Sequence, residues 1–183
     1  MINKRLSKFI HPIITDNPRV TAVCYSSKNG NDLIFSSIYM PFDDGSNQHY
    51  SDFEEVVGVM QGLMDRYLGC KLIFGGDFNV TRPSNAVIYH TIDKFCVANR
   101  LEWLDPAPDG VNYTYHNDAV LTHSLIDHFI CSPELVQSQQ YVYIMDDGDN
   151  LSDHYAIHYP FKLPCGHADS HHSHSPELAR KLL

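Results

Sequence analysis

The sequence predicts an α/β fold, and three observations carry that expectation. An amphipathic helix beginning near Ser51 leads through Gly69 straight into the apolar run Leu72-Ile73-Phe74. A helix that feeds a buried strand directly is the grammar of α/β architecture. A hairpin precedes this pair, and a second helix follows it over about residues 85–99. At 183 residues and 43% hydrophobic content, the chain suits one domain with a sizeable core.

Taken in order, residues 1–19 form a basic, poorly periodic lead-in that ends in a turn at Asp16-Asn17-Pro18. Val20 to Tyr25 reads as a strand. Lys28-Asn29-Gly30-Asn31 carries an Asn-Gly hairpin signal, and Leu33 to Tyr39 is the returning strand, stopped by Pro41. The hairpin delivers Tyr39 to a strand end. Asp43-Asp44-Gly45-Ser46-Asn47 is a solvated turn, because its spacing fails the calcium-loop pattern. Ser51-Asp52-Phe53-Glu54 is a capping box. Phe53, Val56, Val57, Met60, Leu63, Met64, Tyr67 and Leu68 then recur at spacings of three and four, one apolar face closed by Gly69.

In the second helix Ile88, Ile92, Phe95 and Cys96 share a face. Tyr113 to Tyr115 predicts a short strand, Leu125 to Ile130 a firmer one, Val136 to Met145 a turn or short helix and another strand, and Tyr155 to Phe161 the last. Residues 1–163 form the domain. Residues 164–183 make a His/Ser-rich tail without apolar periodicity, expected to be disordered and idle in the chemistry.

Composition excludes several classes. A net charge of −9 argues against a large sequence-independent DNA-binding surface, which would need Lys and Arg against the phosphates. No apolar run is long enough to span a membrane. The basic N-terminus lacks the apolar core of a secretory signal. Five widely spaced cysteines contain no Cys-x-x-Cys pair, so reduced, intracellular thiols are expected rather than zinc or a disulfide framework.

Three stretches carry chemistry. Lys71-Leu-Ile-Phe-Gly75-Gly76-Asp77-Phe78-Asn79 runs a buried strand into two glycines, which let the backbone turn or let a ligand approach. Asp77 and Asn79 then stand at the C-terminal end of a strand, where α/β sheets place their reactive groups. In Ser124-Leu-Ile-Asp127-His128-Phe-Ile, one carboxylate sits inside an apolar strand and demands a partner. His128 points to the opposite face and is a poor one. Asn150-Leu-Ser152-Asp153-His154 supplies a better one, since a histidine fixed by a buried aspartate can stabilise developing negative charge. Ser152 lacks the Gly-x-Ser-x-Gly elbow of a serine hydrolase.

Together, Gly-Gly-Asp77-Phe-Asn79, Ile-Asp127-His-Phe and Leu-Ser-Asp153-His154, with Tyr39-Met-Pro41 upstream, resemble the endonuclease/exonuclease/phosphatase family over about residues 18–162. Val/Ile-Tyr-Met-Pro followed by Asp-Asp-Gly, and Asp-Gly-Asp-Asn-Leu-Ser-Asp-His, look most like the endonuclease domain of non-LTR retrotransposons. The resemblance implies a four-layer α/β sandwich and Mg²⁺-dependent hydrolysis of a phosphodiester. It implies DNA as substrate, a reverse-transcriptase module in the parent polypeptide and a nuclear location. A phosphatase or other phosphoesterase of the same fold, or a non-catalytic remnant, are the alternatives.

The implied roles are specific. Asp77 positions or deprotonates the attacking water, Asn79 binds the phosphate, and His154 donates to the oxygen that gains charge. Asp127 orients His154, Tyr39 contacts the phosphate, and Asp153 faces the metal. The Asn strand and the Glu ligand that open the family pattern have no counterpart here, and Leu125 stands where many members carry arginine. The sequence is therefore expected to represent an N-terminally truncated domain that nicks DNA poorly or not at all.

Overall fold

The computed structural model describes residues 7–27, 30, 32–84, 86–108, 110–136, 141–146 and 150–161. The C-terminal tail, Lys28, Asn29, Asn31 and the helix start expected at Asn85 lie outside the described residues. In chain order the strands are β1 (Ile10–Ile13), β2 (Val20–Tyr25), β3 (Leu33–Tyr39), β4 (Lys71–Asp77), β5 (Glu102–Trp103), β6 (Tyr115–Asn117), β7 (Thr122–Ser124), β8 (Asp127–Cys131), β9 (Tyr143–Met145) and β10 (Ala156–His158). The helices are α1 (Asn47–Arg66) and α2 (Val87–Asn99).

A mixed sheet runs in the order β1-β2-β3-β4-β8-β5, and β9-β10 and β6-β7 form two small antiparallel ribbons. The β2–β3 hairpin is antiparallel, with Val20 opposite Ile38, as the Asn-Gly signal predicted. β3 then runs parallel to β4, because α1 carries the chain back across one face between them.

Strand alternation splits the core. Ile34, Ile38, Leu72, Phe74 and Ile130 pack under α1 and α2 against Phe53, Val56, Met60, Ile92 and Phe95. Leu33, Ile73 and Cys131 belong to a second cluster with Leu135, Val142 and Tyr159. The uninterrupted apolar run of β4 is thereby explained: alternate side chains enter different clusters. The α/β expectation holds, as a mixed sheet with helices.

Local boundaries differ from the sequence reading in instructive ways. α1 starts five residues earlier, capped by Ser46, whose Oγ accepts from His49 N at 3.1 Å. Ser51 and Glu54 are exposed positions inside the helix, so the capping box is not used. Leu68 lies beyond the helix end and is 84% exposed, not part of its apolar face. β1 occupies part of the supposed lead-in and pairs antiparallel with β2. β6 sits two residues later than expected, and the last strand shrinks to Ala156–His158. Burial pushes the Cys70 thiol up to about 11 and those of Cys96 and Cys131 up to about 12, so these thiols stay protonated.

Candidate active site

Sheet register assembles the site. Tyr39 at the end of β3 is opposite Asp77 at the end of β4, and Asp77 is opposite Asp127 at the start of β8. Parallel β3–β4 pairing and antiparallel β4–β8 pairing bring these three residues to one edge of the sheet.

β4 passes through Gly75 and Gly76 without the sharp turn that is one of the two uses expected of them. The glycines serve packing instead. A Cβ on Gly75 would lie 2.4 Å from the Phe129 ring. Gly76 has φ +141°, and a Cβ there would meet the Ile38 carbonyl oxygen at 2.1 Å. β3, β4 and β8 can therefore approach closely enough to align the three acidic and phenolic side chains.

Beyond β4 the chain is pinned by Phe78, fully buried, whose N–H donates to the Ile126 carbonyl at 2.9 Å. Asn79 adopts a left-handed φ of 51°, a conformation asparagine tolerates. Its backbone N–H donates to Asp77 Oδ1 at 2.8 Å, and its Nδ2 donates to Met40 O at 2.7 Å and to Asp77 Oδ2 at 3.3 Å. Asn79 thus fixes the Asp77 carboxylate and ties it to the end of β3.

Asp127 finds the partner its apolar strand required. His154 Nδ1 lies 3.0 Å from Asp127 Oδ2. A carboxylate only accepts, so Nδ1 carries the proton and Nε2 is left for other work. The Asp127 side chain is 13% exposed and that of His154 32% exposed, an anchored base beneath an accessible ring. His128 turns the other way, buried, with Nε2 against Val80 O at 2.8 Å.

Burial raises the Asp77 pKa, and repulsion from Asp127 adds to the rise. The hydrogen bond from Asn79 and the attraction of His154 oppose it without cancelling it. The two carboxylates and the imidazole therefore form one electrostatic unit.

Tyr39 is 51% exposed at this edge, with the Arg19 guanidinium 5.0 Å above its ring. Asp153 precedes His154 directly in sequence. It is exposed, its Oδ1 lies 3.5 Å from Ser152 Oγ, and it lines a polar hollow with Tyr115, His116 and Asp118.

Two supporting residues escaped the sequence reading. Thr114 is fully buried, and its Oγ1 accepts from the N–H groups of Ile126 at 3.1 Å and Asp127 at 3.0 Å. Its carbonyl accepts from Tyr155 N at 2.7 Å, so Thr114 grips the chain beside both members of the pair. Asn150 Nδ2 donates to the carbonyl of His154 at 2.7 Å and fixes its loop. A short polar residue between two tyrosines was the available signal for Thr114; Asn150 resembled any loop asparagine.

No family model matches the chain, and no curated protein matches it. Solved structures do. The endonuclease domain of TRAS1, a telomere-specific non-LTR retrotransposon, superposes with a TM-score of 0.59 at 16% identity, covering 85% of this chain and 70% of that one. A 3′-5′ exonuclease from Neisseria meningitidis gives 0.63 at 18% identity over 83% and 70%. An endonuclease/exonuclease/phosphatase family protein from Leptotrichia buccalis gives 0.55 at 18% identity over 78% and 52%. The chain has the endonuclease/exonuclease/phosphatase fold. It spans 52% to 70% of the length of these three structures.

The sequence resemblance implied Mg²⁺ at this fold's active centre. Among the described residues no group of three or more His, Cys, Asp or Glu side chains is placed to hold a metal ion. Asp77 is engaged by Asn79, Asp127 by His154, and Asp153 by the Ser152 hydroxyl. The described residues alone do not fit a resident metal. No helix among them is long and apolar enough to cross a membrane.

Proposed function

We propose that this protein is a phosphodiesterase acting on DNA strands, a nicking endonuclease of the retroelement type. One observation carries the reading: the Asp127–His154 hydrogen bond at 3.0 Å, on the sheet edge where Asn79 immobilises Asp77. The endonuclease/exonuclease/phosphatase fold supports it.

Asp77 holds a water in line with the phosphorus and takes its proton. Its raised pKa strengthens it as a base compared with a solvated carboxylate. The water oxygen forms the new P–O bond as the bond to the leaving oxygen breaks, and that oxygen takes a proton from solvent. Asn79 steadies the carboxylate. His154, protonated and oriented by Asp127, directs Nε2–H at the phosphoryl oxygen that gains charge. Tyr39 lies along the substrate path. Mg²⁺ remains the cofactor expected from the resemblance, and no step is assigned to it. The reading carries with it a nuclear location and a reverse-transcriptase module in the parent polypeptide.

The test compares bis(p-nitrophenyl) phosphate with p-nitrophenyl phosphate in buffer containing Mg²⁺. A phosphodiesterase releases p-nitrophenol faster from the diester; preference for the monoester would assign the site to a phosphatase.

A further inference from the structure

The active edge bears a cation with no role in the reaction above. Val20 is opposite Ile38 in the β2–β3 ladder, and Tyr39 N–H donates to the Arg19 carbonyl at 2.9 Å. Arg19, Tyr39, Asp77 and Asp127 therefore stand in a row across β2, β3, β4 and β8. Val20, Ile38, Phe78 and His128, their neighbours in sequence, are buried on the other side of the sheet. Two strand spacings place the Arg19 backbone ~10 Å from that of Asp77.

Arg19 is only half-exposed, yet among the described residues its guanidinium has no carboxylate partner, only the face of Tyr39 at 5.0 Å. Arg82 makes the contrast: it is paired with Asp105 at 2.6 Å and lies 5.4 Å over Trp103. Lys71 and Arg100 line a hollow at the opposite end of β4. In a chain of net charge −9, with Asp77 and Asp127 at the reacting centre, a polyanion approaching this edge meets two carboxylates, which among the described residues of the row only the His154 ring and Arg19 offset.

We propose that Arg19 and the Tyr39 face form a subsite for a second phosphate of the same strand, next to the one attacked between Asp77 and His154. The ligand class is a polynucleotide backbone, because a phosphate monoester has no second phosphate to place there. The planar guanidinium, 5.0 Å over the ring of Tyr39, has N–H groups that can pair with phosphate oxygens in a bidentate way. The inference rests on the phosphodiesterase reading for the position of the attacked phosphate.

Fluorescence anisotropy with a labelled DNA duplex in EDTA, where cleavage is suppressed, tests binding apart from catalysis. Binding is measured across a salt series for the wild type, Arg19→Gln and Arg19→Lys. The expected result is a loss of roughly 5- to 10-fold for Arg19→Gln, with the log–log salt slope lowered by about one, as for one lost phosphate contact. Arg19→Lys keeps the slope. Wild-type affinity and slope in Arg19→Gln, or no binding by the wild type, overturn the subsite. An Arg19-dependent slope in a protein whose His154→Ala form cleaves DNA normally would keep the subsite and refute the catalytic reading.

Discussion

His154 Nδ1 stands 3.0 Å from Asp127 Oδ2, although 27 residues separate them in sequence. Asp127 opens β8, and His154 precedes β10 and bridges to Tyr115 at the start of β6. The pair is set by strand ends, with Thr114 and Asn150 fixing the backbone on either side.

Asp127→Asn keeps the shape of the side chain and removes its charge. Its amide can donate to Nδ1, which moves the neutral ring proton to Nε2. The expected outcome is a change of the His154 tautomer in ¹⁵N spectra and a fall in kcat of roughly 10²- to 10⁴-fold, with little change in KM. An unchanged tautomer would mean that Asp127 does not orient the ring.

Asp77 links stability to pH. Its pKa is raised by burial and then by Asp127. The folded state therefore holds its proton more tightly than the unfolded chain does. Stability is fully present below the unfolded value of about 3.9 and declines as pH rises through the higher folded value. Asp77→Asn should unfold at a higher temperature than the wild type at neutral pH while losing activity, and the gain should vanish in acid. Thermal melts across pH check this, and a variant less stable at neutral pH would contradict it.

Thr114→Val preserves volume but leaves the Ile126 and Asp127 N–H groups without their acceptor. Two partly buried donors stripped of a partner should cost about 1–3 kcal/mol in all. Thr114→Ser restores the acceptor and should recover most of that. Urea denaturation measures both; a Thr114→Val variant as stable as the wild type would show that the hydroxyl does not matter.

The chemistry was more legible than the boundaries. A carboxylate embedded in Leu-Ile-Asp127-His-Phe-Ile is costly unless paired, so the need for His154 could be read before any coordinates. The run Lys71 to Phe74 announced a doubly buried strand for the same reason. The start of α1 differs because Ser46 and Ser51 are both suitable caps, and starting at Ser46 brings His49 into the first turn, where it is buried like Phe53. β1 was invisible because His11 and Pro12 break its pattern at a sheet edge, where proline is tolerated. The glycine pair allows a turn or a close approach, and it is Phe129 and Ile38 that approach. Neighbours distant in sequence decided that, as they decided the position of Asp153.

Relaxation of supercoiled plasmid tests the central claim most directly. Nicking is followed with and without Mg²⁺ for the wild type, His154→Ala and Asp77→Ala. The account predicts slow conversion to the open circle by the wild type and a loss of roughly two orders of magnitude or more in each variant. Nicking that survives undiminished in either variant, or none by the wild type at any Mg²⁺ concentration, would contradict it.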